Sequence, residues 1–148
     1  MRPALPHARF LAPRPLPVPA GLARGWRVTA YEAAGATARL GRRSRAMDAL
    51  LAAAGVREAA FLGAGNPLSR KRPAAWNAAM LARLRRLVRR AGLRSAEGAG
   101  HAARPPWREE HLLLFGDSRR AAVLARRFRQ HAILRLRRGA PARLIVLR

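Results

Sequence analysis

A chain of 148 residues is long enough to bury one hydrophobic core and fits a single domain. It has no cysteine, which excludes disulfides and thiolate metal sites, and no apolar run near the roughly 20 residues that span a bilayer. The formal net charge of +24 raises the question of a polyanionic partner.

Met1 to Arg24 carries arginines, no acidic residue, and prolines at positions 3, 6, 13, 15, 17 and 19. Proline breaks the helix that a targeting segment needs, so 1–24 reads as a disordered leader or an over-long gene start. Residues 25–148 read as one domain. From Gly25 to Ala33, Trp26, Val28 and Ala30 alternate with Arg27, Thr29 and Tyr31, which predicts a half-buried strand. Gly35 turns the chain into a second short strand, Ala36 to Leu40. Ser44 is placed to cap a helix through Met47, Leu50, Leu51 and Ala54, stopped by Gly55.

Glu58 to Ala64 holds the apolar run of a buried central strand. The loop Gly65–Asn66–Pro67–Leu68–Ser69 leads to Pro73, which opens the longest helix. Its inward stripe is Asn77, Met80, Leu81, Leu84, Leu87, Val88 and Ala91, and Gly92 ends it. Ser95 to Pro106, rich in Gly, Ala and Pro, reads as a loop before a strand at His111 to Phe115. Asp117 or Ser118 caps a third helix with Ala121, Leu124, Ala125 and Phe128 inward. Ala132 to Leu136 and Arg143 to Leu147 form a hairpin around Gly139–Ala140–Pro141. The resulting order, β-β-α-β-α-β-α-β-β, predicts an α/β (α+β) fold with helices flanking one mixed sheet.

Few residues carry recognisable chemistry. Gly63–Ala64–Gly65 lacks the third glycine of a dinucleotide fingerprint, where Leu68 stands. His7, His101, His111 and His131 have no metal-ligand spacing, and the four serines are explained by caps and turns. Glu109 and Glu110 are adjacent, so on a strand they point apart. No cofactor and no metal is implied. All but one of the 31 basic residues are arginine. Residues with GC-rich codons abound and those with AT-rich codons are scarce, so base composition accounts for much of the charge. Weak, non-specific attraction to polyanions follows from the charge whatever its origin.

The informative polar residues are few. Asn66 leaves a buried strand at its carboxyl end. Asn77 lies on an apolar helical stripe, where a buried amide needs partners. Glu109 and Trp107 precede the strand at 111, and Gln130 joins the third helix to the next strand. Both asparagines of the chain fall in one segment.

Read in order, Ala59 to Ser69, then Asn77, Trp107–Arg108–Glu109 and Phe128 to Ile133, resemble the bacterial domain-of-unknown-function family 3293. The family pattern is a strand ending Thr-Ala-Trp-Asn-Pro-x-Ser, a downstream Asn, a Trp-x-Glu-x-Ser and a Gly-Gln-Asn-Ala strand entry. The resemblance covers about Arg24 to Arg148 and carries over Asn66, Pro67, Ser69, Asn77, Trp107, Glu109 and Gln130. The chain departs from the pattern at Gly63 (Thr), Gly65 (Trp), His111 (Ser), Arg129 (Gly) and His131 (Asn). No reaction comes with the resemblance.

The sequence thus points to a cytoplasmic domain, non-catalytic or weakly catalytic, that binds a small polar ligand or a protein partner near the Asn66–Pro67 loop. The expected site is Asn66, Ser69, Asn77, Trp107, Glu109 and Gln130. Two alternatives stand beside it: an arginine-driven nucleic-acid or ribosome-associated protein, and an enzyme using Glu109 as general base.

Overall fold

The computed structural model describes residues 5–12 and 18–148. In chain order the elements are β1 (Ala8–Phe10), α1 (Ala20–Val28), β2 (Ala30–Ala33), β3 (Ala36–Ala38), α2 (Arg45–Ala53) and β4 (Glu58–Leu62). They continue with α3 (Ala74–Arg90), β5 (Ser95–Ala103), β6 (Pro106–Phe115), α4 (Ser118–Arg127), β7 (Ala132–Arg137) and β8 (Arg143–Val146). The eight strands form one mixed sheet in the order β1-β8-β7-β4-β6-β5-β2-β3, the α+β architecture expected. Only the β1–β8 pairing is parallel between named strands. A parallel bridge between Leu40 and Ala142 ties the end of β3 to the start of β8, which curls the sheet.

Alternation along the strands divides the core in two. One cluster, with Tyr31, Ala59, Phe61, Leu113, Leu134 and Leu136, is covered by Ala23 of α1 and by Met47 and Leu51 of α2. The other, with Ala60, Leu62, Leu112, Leu114 and Ile133, is covered by Leu81, Leu84 and Val88 of α3 and by Ala121, Leu124 and Ala125 of α4. Each fully buried Leu or Ile adds about 1.5–3 kcal/mol. The alanine-rich first layer adds less per residue, so it relies on close approach. No described helix is long and apolar enough to cross a membrane.

Three expectations are corrected. The segment read as a disordered leader supplies β1, which pairs with β8 from Ala8↔Leu144 to Phe10↔Val146, and it supplies the buried Val18 and Ala23. Its residues 1–4 and 13–17 lie outside the described residues. Proline is compatible with this packing because β1 is an edge strand and Pro19 sits at the helix N-cap, where no intrahelical bond is lost.

The strand read from Gly25 to Ala33 is helix as far as Val28 and strand only from Ala30. Leu22 and Trp26, one helical turn apart, both pack on the first cluster, and that burial outweighs the local alternation. Residues 95–106, read as a loop, are mostly β5 and its turn into a long hairpin with β6. The glycines that looked like loop signals serve close approach: a Cβ at Gly98 would lie 2.8 Å from Glu32 O, and one at Gly100 would lie 2.9 Å from His111 Cε1.

Candidate functional site

β4 ends at Leu62, and the chain leaves it through buried Gly63, Ala64 and Gly65. Asn66 then takes a left-handed conformation (φ 44°), as do Leu68 (φ 52°) and Ser69 (φ 58°). Asparagine tolerates this region; leucine and serine are strained there. The turn is held at both ends. Asn66 N–H donates to Asn77 Oδ1 at 2.9 Å, and Asn77 Nδ2 donates to Asn66 Oδ1 at 2.9 Å and to Arg72 O at 3.3 Å. Arg72 N–H also donates to Asn66 Oδ1, at 2.9 Å. Across the turn, Leu68 N–H donates at 2.7 Å to the carbonyl of Arg129, itself left-handed (φ 53°).

Gln130 follows Arg129 and reaches back. Its Nε2 donates to Gly65 O at 2.9 Å and to Phe128 O at 3.0 Å. Both amide hydrogens are thereby committed, so Oε1 is the group left to accept. On β6, Trp107, Glu109 and His111 are two residues apart and share the sheet face of Tyr31 and Phe61.

These elements enclose a cavity of about 270 Å³ between α1 and the sheet, beside the end of β4. Asn66, Ser69, Trp107, Glu109 and Gln130 all line it. Of the expected site residues, Asn77 alone stands outside the lining. It acts one step back, fixing Asn66.

Further lining residues, among them Trp26 of α1, Thr29, Tyr31, His111 and His131, lie outside the set expected from the sequence. The departure from the family pattern at His111 leaves a polar ring in the site. His111 is 9 % exposed, its ring stacked on Tyr31 with centroids 6.0 Å apart. Its Nε2 lies 3.7 Å from Glu109 Oε2, and its Nδ1 is buried without a hydrogen-bond partner.

The ring fits because two glycines flank it: a Cβ at Gly63 would lie 2.9 Å from its Cδ2, and one at Gly100 equally close to its Cε1. Burial pushes the Tyr31 hydroxyl well above its usual range, with the nearby Glu109 carboxylate adding to the shift. Tyr31 therefore stays neutral. The alternation Trp107-x-Glu109-x-His111 is the sequence signal for His111. A strand begun at His111 hides it, because the alternation starts four residues earlier.

Among the described residues no group of three or more histidine and acidic side chains could hold a metal ion. No curated protein and no solved structure matches the chain. Residues 62–133, from the end of β4 to the start of β7, match the family described as protein of unknown function (DUF3293), and the matched segment carries Asn66, Trp107, Glu109 and Gln130.

Proposed function

We propose that the chain binds a small organic ligand in this cavity, and that the ligand offers hydrogen-bond donors or a positive charge. The observation that carries the reading is the chemistry of the lining. The chain has 31 lysines and arginines, yet among the described residues none lines the cavity, and Glu109 is its one carboxylate. Gln130 offers only its carbonyl oxygen, and Trp26, Trp107 and Tyr31 supply aromatic walls of the kind that hold organic cations. The volume lies just below the range of drug-sized pockets, about 300–1,000 Å³, which favours a compact ligand.

Calorimetry with choline, its uncharged carbon isostere dimethylbutanol, and acetate tests the reading. Choline is expected to bind best, and Glu109→Gln should erase its advantage over the isostere. Tighter binding of acetate, or an advantage that survives Glu109→Gln, sinks the charge preference. The 3.7 Å approach of His111 to Glu109 supports a second reading, acid–base chemistry on the bound molecule. A ligand recovered chemically unchanged after long incubation with the protein counts against it.

A further inference from the structure

A second polar cluster lies away from this cavity. Arg135 sits inside β7 between the buried Leu134 and Leu136, and is itself only 8 % exposed. Alternation puts Arg135 and Arg137 on the sheet face of Ile133. Register sets Arg143 of β8 opposite Arg135, and Arg9 of β1 opposite Ile145. Four guanidiniums thus converge on one face near the β8–β1 edge.

The carboxylate beside them is Glu58, whose Oε2 lies 3.9 Å from Arg137 Nε. Among the described residues Arg9, Arg135 and Arg143 have no ion pair and no side-chain hydrogen bond. Burial, together with Arg137, Arg143 and Arg9, pulls the Arg135 guanidinium below its usual value. The Arg135 stem is enclosed while its guanidinium nitrogens still reach the solvent of the cleft, and a partly desolvated cation among like charges favours a counter-charge there. His7, Arg135, Arg137 and Arg143 line a cleft of about 170 Å³ against Ala140 and Pro141.

We propose that this cleft is a binding site for a phosphate group, with Arg135 as its innermost contact and His7, Arg137 and Arg143 around it. Several guanidinium forks from different strands suit an oxyanion with several charged oxygens, whereas one carboxylate would leave most of the cluster unpaired. The depth of Arg135 separates this site from the arginine faces of α3 and α4, whose exposed side chains attract polyanions only diffusely. The competing explanation is that the arginine stems merely cover the sheet edge.

The test is calorimetry and thermal unfolding of the full chain in sodium phosphate against sodium chloride at equal ionic strength, which holds screening constant. Wild type is expected to show saturable phosphate binding with a rising midpoint. Arg135→Met should weaken it about tenfold or more, the loss of a charge-assisted bond. Arg86→Met, on the exposed face of α3, should leave it unchanged. If Arg135→Met does not fold, Arg143→Met takes its place.

Competition separates the sources of the phosphate. Displacement by pyrophosphate alone indicates a small phosphorylated molecule, and displacement by a short RNA indicates a nucleic-acid backbone; either supports the site. Phosphate binding that is absent, never saturates, or is weakened equally by Arg86→Met overturns it.

Discussion

Asn66 and Asn77 hold each other through two reciprocal hydrogen bonds, each 2.9 Å long, across eleven residues of sequence. One amide lies in a left-handed turn at the end of β4, and the other lies in the first turns of α3. The pair joins the start of the longest helix to the rim of the cavity. Asn77→Leu removes the acceptor of Asn66 N–H and one of the two donors to Asn66 Oδ1, which keeps Arg72 N–H. A loss of about 1–3 kcal/mol in unfolding free energy is expected, with weaker binding of any cavity ligand. An unchanged denaturation midpoint would show that the turn holds its shape without the pair.

Asn77→Asp adds a pH signature. It keeps the acceptor for Asn66 N–H but brings a charged oxygen against Asn66 Oδ1, a contact that favours the protonated carboxyl. The pKa of the introduced carboxyl is therefore raised in the folded state above its unfolded value. Its stabilising share is present below the carboxylate range and lost as pH rises through the folded value. The deficit relative to wild type should shrink on acidification; a deficit independent of pH refutes this account.

Gly63 and His111 are matched in size. Gly63→Thr places a Cβ 2.9 Å from the imidazole and should cost about 1–3 kcal/mol by overpacking. His111→Ser vacates that volume. In a double-mutant cycle the two changes should couple by at least about 0.5 kcal/mol in the favourable direction. Additive effects would mean that the two sites are independent.

Removal of residues 1–23 deletes β1, exposes the edge of β8, and takes away Val18 and Ala23 from the first core cluster. The thermal midpoint should fall by more than about 4 °C, on the order of 1 kcal/mol for a domain of this size. A midpoint within a degree of the full chain would show that the segment contributes no packing energy.

Asp117 caps α4: its Oδ1 accepts from Arg119 N–H at 2.9 Å, and its carboxylate pairs with the Arg119 guanidinium at 2.7 Å. The side-chain bond to Arg119, then the backbone bond, hold its pKa down at about 2, against an ordinary value of 3.8. A depressed folded value means stability present above pH 3.8 and lost as pH falls toward 2. Asp117→Ala should cost about 1 kcal/mol at neutral pH, as lost caps do. It should also flatten the stability change between about pH 4 and 2. A variant with the same acid limb as wild type would place that limb elsewhere.

Where a signal is local, the chain shows it in its sequence. Ser44, expected as a cap, accepts from Met47 N–H at 3.2 Å. Gly55 and Gly92 end their helices with φ of 72° and 68°, a conformation other residues adopt only with strain. Leu81, Leu84 and Val88 repeat at helical spacing and are buried for that reason. The antiparallel β7–β8 hairpin follows from two apolar runs around Gly139.

The rest depended on what each segment meets across the sheet. Gly98 and Gly100 look alike whether they break a strand or admit Phe61 and His111 to its surface; only the partner strand decides. The proline-rich start lacks periodicity, yet three of its residues complete the edge of β8 because that edge offers unpaired backbone groups. Composition by itself determined the charge, the lack of thiols and the size of the core, and periodicity determined α2, α3, α4 and most strands, but not α1. Tertiary structure alone decided that an arginine-rich chain would enclose a cavity without lysine or arginine among its described lining, and would bury Arg135 without a partner. Such placements arise from long-range strand pairing, and no local pattern encodes which side chains the pairing brings face to face.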